Sequence, residues 1–243
     1  NNMNGAIPSQ IGLLSNVEYM GLFQNDFSGS IPTSIGLCTN MRKLFLFGNA
    51  INGTIPSEIG LLSQLDFIAL LNNRLVGSIP STIRNLQNLT KLKLRNNFMT
   101  GTIPTEIGTC ASLQTFDLSF NFFSGTIPTE IGSLAALKYL IISSNKFSGS
   151  IPSDVGNCLS LKHLDISIDP RMRGTVPPEL ESLSNLEEFI FHGTGLTGFF
   201  PDEVCSLREG YATNFVGNCG VICDCCDEVL CTYESEVANT TKP

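Results

Sequence analysis

The sequence has no tryptophan and only two histidines in 243 residues. It lacks a paired-imidazole metal motif, a nucleophile elbow and a phosphate-binding glycine loop, so hydrolase, metalloenzyme and nucleotide-binding readings find no foothold. Charge is scarce at 15% of residues, yet no apolar run approaches the ~20 residues of a membrane-spanning helix. Basic residues are the rarer sign, 14 Lys+Arg against 22 Asp+Glu, for a net charge of -8. The imbalance is local. Residues 1–173 carry 12 basic and 10 acidic side chains (+2), whereas residues 174–243 carry 2 basic and 12 acidic (-10). Such an acidic end repels nucleic acid and anionic lipid, and neither is expected as a partner. No cofactor or metal is expected either.

Glycine and proline, by contrast, are plentiful, at 22 and 12. They fall in register. Gly-x-Ile-Pro begins at Gly5, Gly29, Gly53, Gly77, Gly101, Gly125 and Gly149, with looser copies at Gly174-Thr-Val176-Pro177 and Gly198-Phe-Phe200-Pro201. The steps are 24 residues six times, then 25, then 24. A period of this kind means a repeat solenoid rather than a two-domain globule.

Each period reads the same way. Apolar pairs spaced by two, such as Leu44/Leu46, Leu92/Leu94 and Phe116/Leu118, predict short strands with one buried face. An asparagine follows at Asn25, Asn49, Asn73, Asn97, Asn121 and Asn145, with Asn1 in the same place before Gly5. A carboxamide both donates and accepts, so a stacked column of them can satisfy backbone groups where the coil bends. Asp169 and Thr194 stand in for asparagine in the last two turns. The extra residue falls at Pro170–Arg173, where a bulge and a weakened ladder are expected. Isoleucines three residues after each proline, from Ile11 to Ile131, fill the core from the other side.

The segment Leu113-Gln-Thr-Phe116-Asp-Leu118-Ser-Phe-Asn121-Phe-Phe123-Ser-Gly125-Thr-Ile127-Pro128-Thr-Glu-Ile131-Gly132 resembles the plant-type leucine-rich repeat. The likeness covers residues 1 to about 207. It implies a right-handed superhelix with a parallel β-sheet on the concave face and short 3₁₀ or helical turns on the convex side. About nine 24-residue repeats, the first truncated, would occupy 1–207, with a cysteine-rich C-terminal cap and polar tail at 208–243. It also implies an extracellular recognition scaffold, secreted or the ectodomain of an anchored protein, like receptor-kinase ectodomains and cell-wall inhibitor proteins. Asn1 falls mid-repeat, so further repeats, a cap or a partner are expected ahead of it.

The nine cysteines form two sets. Cys38, Cys110 and Cys158 share one repeat position with leucines of other turns and read as buried free thiols. Rungs ~4.8 Å apart put even Cys110 and Cys158 too far from each other to bond. Cys205, Cys219, Cys223, Cys225, Cys226 and Cys231 read as three disulfides closing the last turn, a pattern that resembles caps of some algal relatives. A zinc site is the rival, disfavoured by the absence of histidine and of paired C-x₂-C knuckles. Asn52, Asn88 and Asn239 open N-x-[ST] sequons, candidate glycosylation sites.

Strand residues between the core positions form columns on the concave face. In the first three rungs these include Tyr19, Phe23, Phe45, Phe47, Phe67 and Leu71, and in the fourth Lys91, Lys93 and Arg95. Six large apolar groups on one face mark a partner-binding patch unless they pack on one another. The basic bar beside them favours an anionic group. A protein, peptide or glycan partner is expected, with self-association through the acidic end as one candidate. A structural or adhesive spacer role and inhibition of a secreted enzyme are the alternatives. Ser167, His192 and Asp165 lie on neighbouring rungs, but their placement suits solvated polar groups better than a catalytic relay.

Overall fold

The computed structural model describes residues 2–205, 207, 214–217 and 220–222. Nine parallel strands, taken in strict chain order, form one sheet along the inside of the coil, from Tyr19–Gly21 to Asn214–Val216. They are called rungs one to nine below. Partners sit 24 residues apart, as in Leu44↔Ile68 and Phe116↔Leu140, except for a step of 25 where the insertion falls, His163↔Glu188, and of 26 at the last, Glu188↔Asn214. The middle residue of each inner-sheet strand is buried, which is the period-two pattern expected of a one-faced strand.

The way back to each of the first eight rungs is a 3₁₀ segment of five residues led by proline, from Ser9–Leu13 to Pro178–Ser182. Proline at the entry holds φ near -70°, and the residue just after each segment donates its N–H to the carbonyl of the isoleucine, valine or leucine three back. From rung two onward that same residue fills the core, as Ile35, Ile107 and Val155 do. The repeat glycines have positive φ. A Cβ on Gly125 would also come 2.8 Å from Thr102 Cγ2, so both conformation and space require glycine there.

The bend between the sheet and the G-x-I-P segment is held by the asparagines. In the fourth turn Asn97 Nδ2 donates to the carbonyls of Leu70 (3.0 Å) and Leu94 (2.9 Å), while its Oδ1 accepts from Leu75 N–H (3.0 Å). Asn73, Asn121 and Asn145 repeat this set in every particular. Each therefore ties its own rung to the one before. Asn25 begins the described ladder by accepting from Met3 N–H; Asn1 lies outside the described residues.

The insertion is absorbed with one defect. The outer pairing shifts from a 22-residue step, Ser124↔Lys146, to 23, Ser148↔Arg171. Asp169 keeps the acceptor half of the ladder, taking Phe147 N–H on Oδ1 at 2.9 Å. Its Oδ2 is buried without a hydrogen-bond partner among the described residues. Burial pushes this carboxyl up to about 7. Thr194 supplies only a hydroxyl, which donates to Phe191 O at 2.7 Å.

Cys38, Cys110 and Cys158 are free and buried. Each thiol donates to the carbonyl of the core isoleucine one turn earlier, at 3.3, 3.4 and 3.2 Å. Cys205 is disulfide-bonded. Cys219, Cys223, Cys225, Cys226 and Cys231 lie outside the described residues, as does Asn239. The inner sheet runs past residue 207: Asn214–Val216 pairs with Glu188–Ile190, and Val221–Ile222 pairs with Gly198–Phe199 on the outer side. No described helix is long and apolar enough to cross a membrane.

Candidate recognition face

Because alternate residues of each strand point out of the pleat, the inner sheet presents three side-chain columns. The predicted aromatic patch lies on it. Tyr19 and Phe23 are exposed, whereas Phe45, Phe47, Phe67 and Leu71 are half-buried. They are half-buried by one another. Tyr19 meets Phe45 edge-on (centroids 5.3 Å), Phe45 meets Phe67 edge-on (4.7 Å), and Phe23 stacks on Phe47 (4.7 Å, 10°). The mutual packing expected as an alternative to binding is therefore real. It preorganises an apolar floor of fixed shape that still opens on solvent through Tyr19 and Phe23.

The basic bar divides. Lys91 and Lys93 lean back over the Phe67 ring, with Nζ 5.2 and 5.9 Å from its centroid. Arg95 turns the other way and lies over Phe120, 4.9 Å from its centroid. The two lysines border a hollow of about 420 Å³ shared with Thr115, Asp117, Lys138 and Tyr139. Lys91, Lys93 and Lys138 form no ion pair among the described residues. Apolar floor and cationic hollow thus adjoin over rungs one to six.

At the hollow and beyond it the face changes in a way the column reading missed. Ser119, Ser143 and Ser167 are buried, not solvated, and so is Asp117. Ser119 Oγ donates to Asp117 Oδ1 at 2.7 Å. Asp165 accepts from Ser143 Oγ at 2.7 Å and Ser167 Oγ at 2.6 Å. Small side chains at this column sink below their larger neighbours and find carboxylates there. Ser167 thus commits its proton to Asp165, and His192 Nδ1 is buried without a partner among the described residues. No Ser–His hydrogen bond joins them. His163 instead pairs with Glu188 at 2.7 Å.

The sequence columns also passed over the residue just before each asparagine, which has φ between 53° and 58° at Gln24, Asn72, Asn96, Phe120, Ser144 and Ile168. Tabulating every position of the repeat, rather than the strand positions alone, exposes Phe120 there and Phe98 and Phe122 nearby. Of the sequons, Asn52 is exposed with no side-chain hydrogen bond among the described residues, whereas Asn88 donates from Nδ2 to Ser63 O at 3.0 Å.

Parallel rungs in chain order, a buried asparagine ladder and proline-led 3₁₀ returns define a leucine-rich-repeat solenoid. The Leucine Rich Repeat family model matches residues 88–110, 112–134 and 136–158, and the chain folds as a leucine-rich-repeat solenoid. Among solved structures it is similar to the plant peptide hormone receptor RGFR1 in complex with RGF2, at 31% identity over 90% of this chain, TM-score 0.84. It is likewise similar to the Arabidopsis receptor kinase HAESA in complex with the peptide hormone IDA and the co-receptor SERK1, at 34% identity over 90%, TM-score 0.83. The chain spans 36% and 37% of those two chains. A plant ice-binding protein, 24% identical over 93% of this chain and 81% of its own, TM-score 0.64, shares the fold. Comparison with curated proteins found no match.

Proposed function

We propose that this chain is an extracellular, non-enzymatic recognition scaffold whose concave face binds an extended peptide or protein segment with an apolar portion and an acidic portion. The observation that carries the reading is the adjacency of the Tyr19–Phe23–Phe45–Phe47–Phe67 floor to the Lys91, Lys93 and Lys138 hollow. Packed aromatics supply buried area with little entropy left to lose, and adjoining unpaired cations fix direction. The likeness to receptors solved with peptide hormones supports a peptide over a glycan. In this reading the six cysteines from Cys205 onward form a disulfide-closed cap, residues 208–243 make up that cap and tail, and Asn52 carries a glycan away from the concave face.

The test is a selection of displayed random peptides on the wild-type protein, with counter-selection on Phe45→Ser/Phe47→Ser. Selected peptides are expected to combine aromatic or aliphatic residues with Asp/Glu, and to lose affinity as salt rises. They should bind Lys91→Glu/Lys93→Glu at least about tenfold more weakly, the loss of ~1.4 kcal/mol. Peptides that bind both variants as tightly as wild type would exclude the concave face as the working surface.

A further inference from the structure

Outside the concave face, past the asparagine ladder, lies a second exposed aromatic group. Phe98, Phe120 and Phe122 are 50%, 47% and 41% exposed. Phe98 and Phe122 stack at 6.2 Å and 17°. Lys146 Nζ covers the Phe122 ring at 4.8 Å, and Arg95 covers Phe120. Phe98, Phe122 and Lys146 each stand three residues before a repeat glycine; so do Arg74 and Arg171, one turn to either side, and both are exposed. One column therefore reads Arg, Phe, Phe, Lys, Arg over five consecutive turns. None of its cations forms an ion pair among the described residues.

The chemistry of this ridge is specific. Ring faces are partly taken, by the neighbouring ring or by a cation, which leaves edges exposed. Ring edges carry the positive side of the quadrupole, so edges and cations alike favour carboxylates. Sugars, which stack on ring faces, are poorly served.

A matching surface is present on the same chain. Five residues after the repeat glycines, in the first turn of the 3₁₀ segments, stand Glu106, Glu130, Asp154 and Glu179. They form an acidic column over four consecutive turns on a different face, and none has an ion-pair partner among the described residues. Both columns recur once per turn of the same coil. Two solenoids side by side can therefore match carboxylate to cation or ring edge turn after turn, without a register mismatch.

We propose that the ridge around Phe98 and Phe122 docks the acidic column of a second copy of this chain. The contact joins two different surfaces, so it is heterologous and can propagate laterally. It leaves the concave floor open, and its success or failure is separate from that of the peptide reading.

Sedimentation velocity on the full chain tests this. At 20 mM salt the weight-average sedimentation coefficient of wild type is expected to rise with concentration, and to return to the monomer value at 500 mM. Phe98→Ser/Phe122→Ser, and separately Glu106→Gln/Glu130→Gln/Asp154→Asn/Glu179→Gln, should each weaken association at least tenfold. Mixing the two should give dimers that do not grow, because only one complementary pair of surfaces remains. Phe45→Ser/Phe47→Ser should associate like wild type. Should a serine variant melt early, Arg74→Glu/Lys146→Glu addresses the same ridge through exposed side chains. A wild-type protein that stays monomeric at low salt, or association undiminished in the ridge variants, overturns the proposal.

Discussion

At the scale of single residues, the asparagine ladder is where polar chemistry decides stability. Asn97 satisfies three buried backbone groups that no neighbour can replace. Asn97→Ala should destabilise the protein by on the order of 3 kcal/mol, because it leaves orphaned carbonyls and an orphaned N–H instead of merely deleting one bond. Urea unfolding of the variant against wild type measures this; a change below ~1 kcal/mol would mean water replaces the amide. The thiols are the opposite case. Burial pushes Cys110 up to about 11 and Cys158 up to about 12. Neither should react with a soluble disulfide reagent at pH 8 until the solenoid unfolds. Prompt labelling of Cys158 in the folded state would contradict its place in the core.

At the scale of elements, the turn from His163 to Ile190 is the weak joint. Where other rungs place an amide nitrogen, Asp169 places a carboxyl whose burial disfavours its charge, and Asp165 nearby adds like charge. The folded carboxyl therefore holds its proton to about 7, well above its ordinary 3.8. The unfolded chain gives up that proton near 4. Folding thus takes up a proton between these values, and stability falls as pH rises from about 4 to about 7, then levels off. Asp169→Asn restores the donor. It should raise the melting temperature at pH 7.5 and flatten the decline between pH 4 and 7. An unchanged pH profile would show that the carboxyl is not buried in its protonated form. The joint was half legible in the sequence. The 25-residue step and the missing asparagine located it, but the retained acceptor bond and the unpaired Oδ2 depend on the geometry of one carboxylate.

At the scale of the whole molecule, a one-dimensional fold made most of the architecture legible. Each turn contacts mainly its neighbours, so a strict period transmits strand, ladder and return directly from sequence to structure. The aromatic floor was legible for the same reason. What escaped was lateral: Arg95 turning to Phe120, the sunken serines, and the Phe98–Phe122 ridge. The first two depend on how side chains of different size lean across a column, which periodicity does not encode; the ridge does follow the period, but at a repeat position outside the inner strands. The same regularity lets the far end be tested without the near one. Non-reducing peptide mapping should find every one of the six cysteines from Cys205 to Cys231 oxidised and Cys38, Cys110 and Cys158 reduced. Acid-releasable zinc would overturn that cap.

The most direct test of the concave face is a charge exchange. A selected peptide should be measured by calorimetry against wild type and Lys91→Glu/Lys93→Glu, together with a copy of the peptide in which Asp and Glu are replaced by Lys. Tight binding is expected for the two opposite-charge pairings and at least tenfold weaker binding for the two like-charge pairings. Affinity that follows the peptide alone, indifferent to the sign of residues 91 and 93, would contradict it.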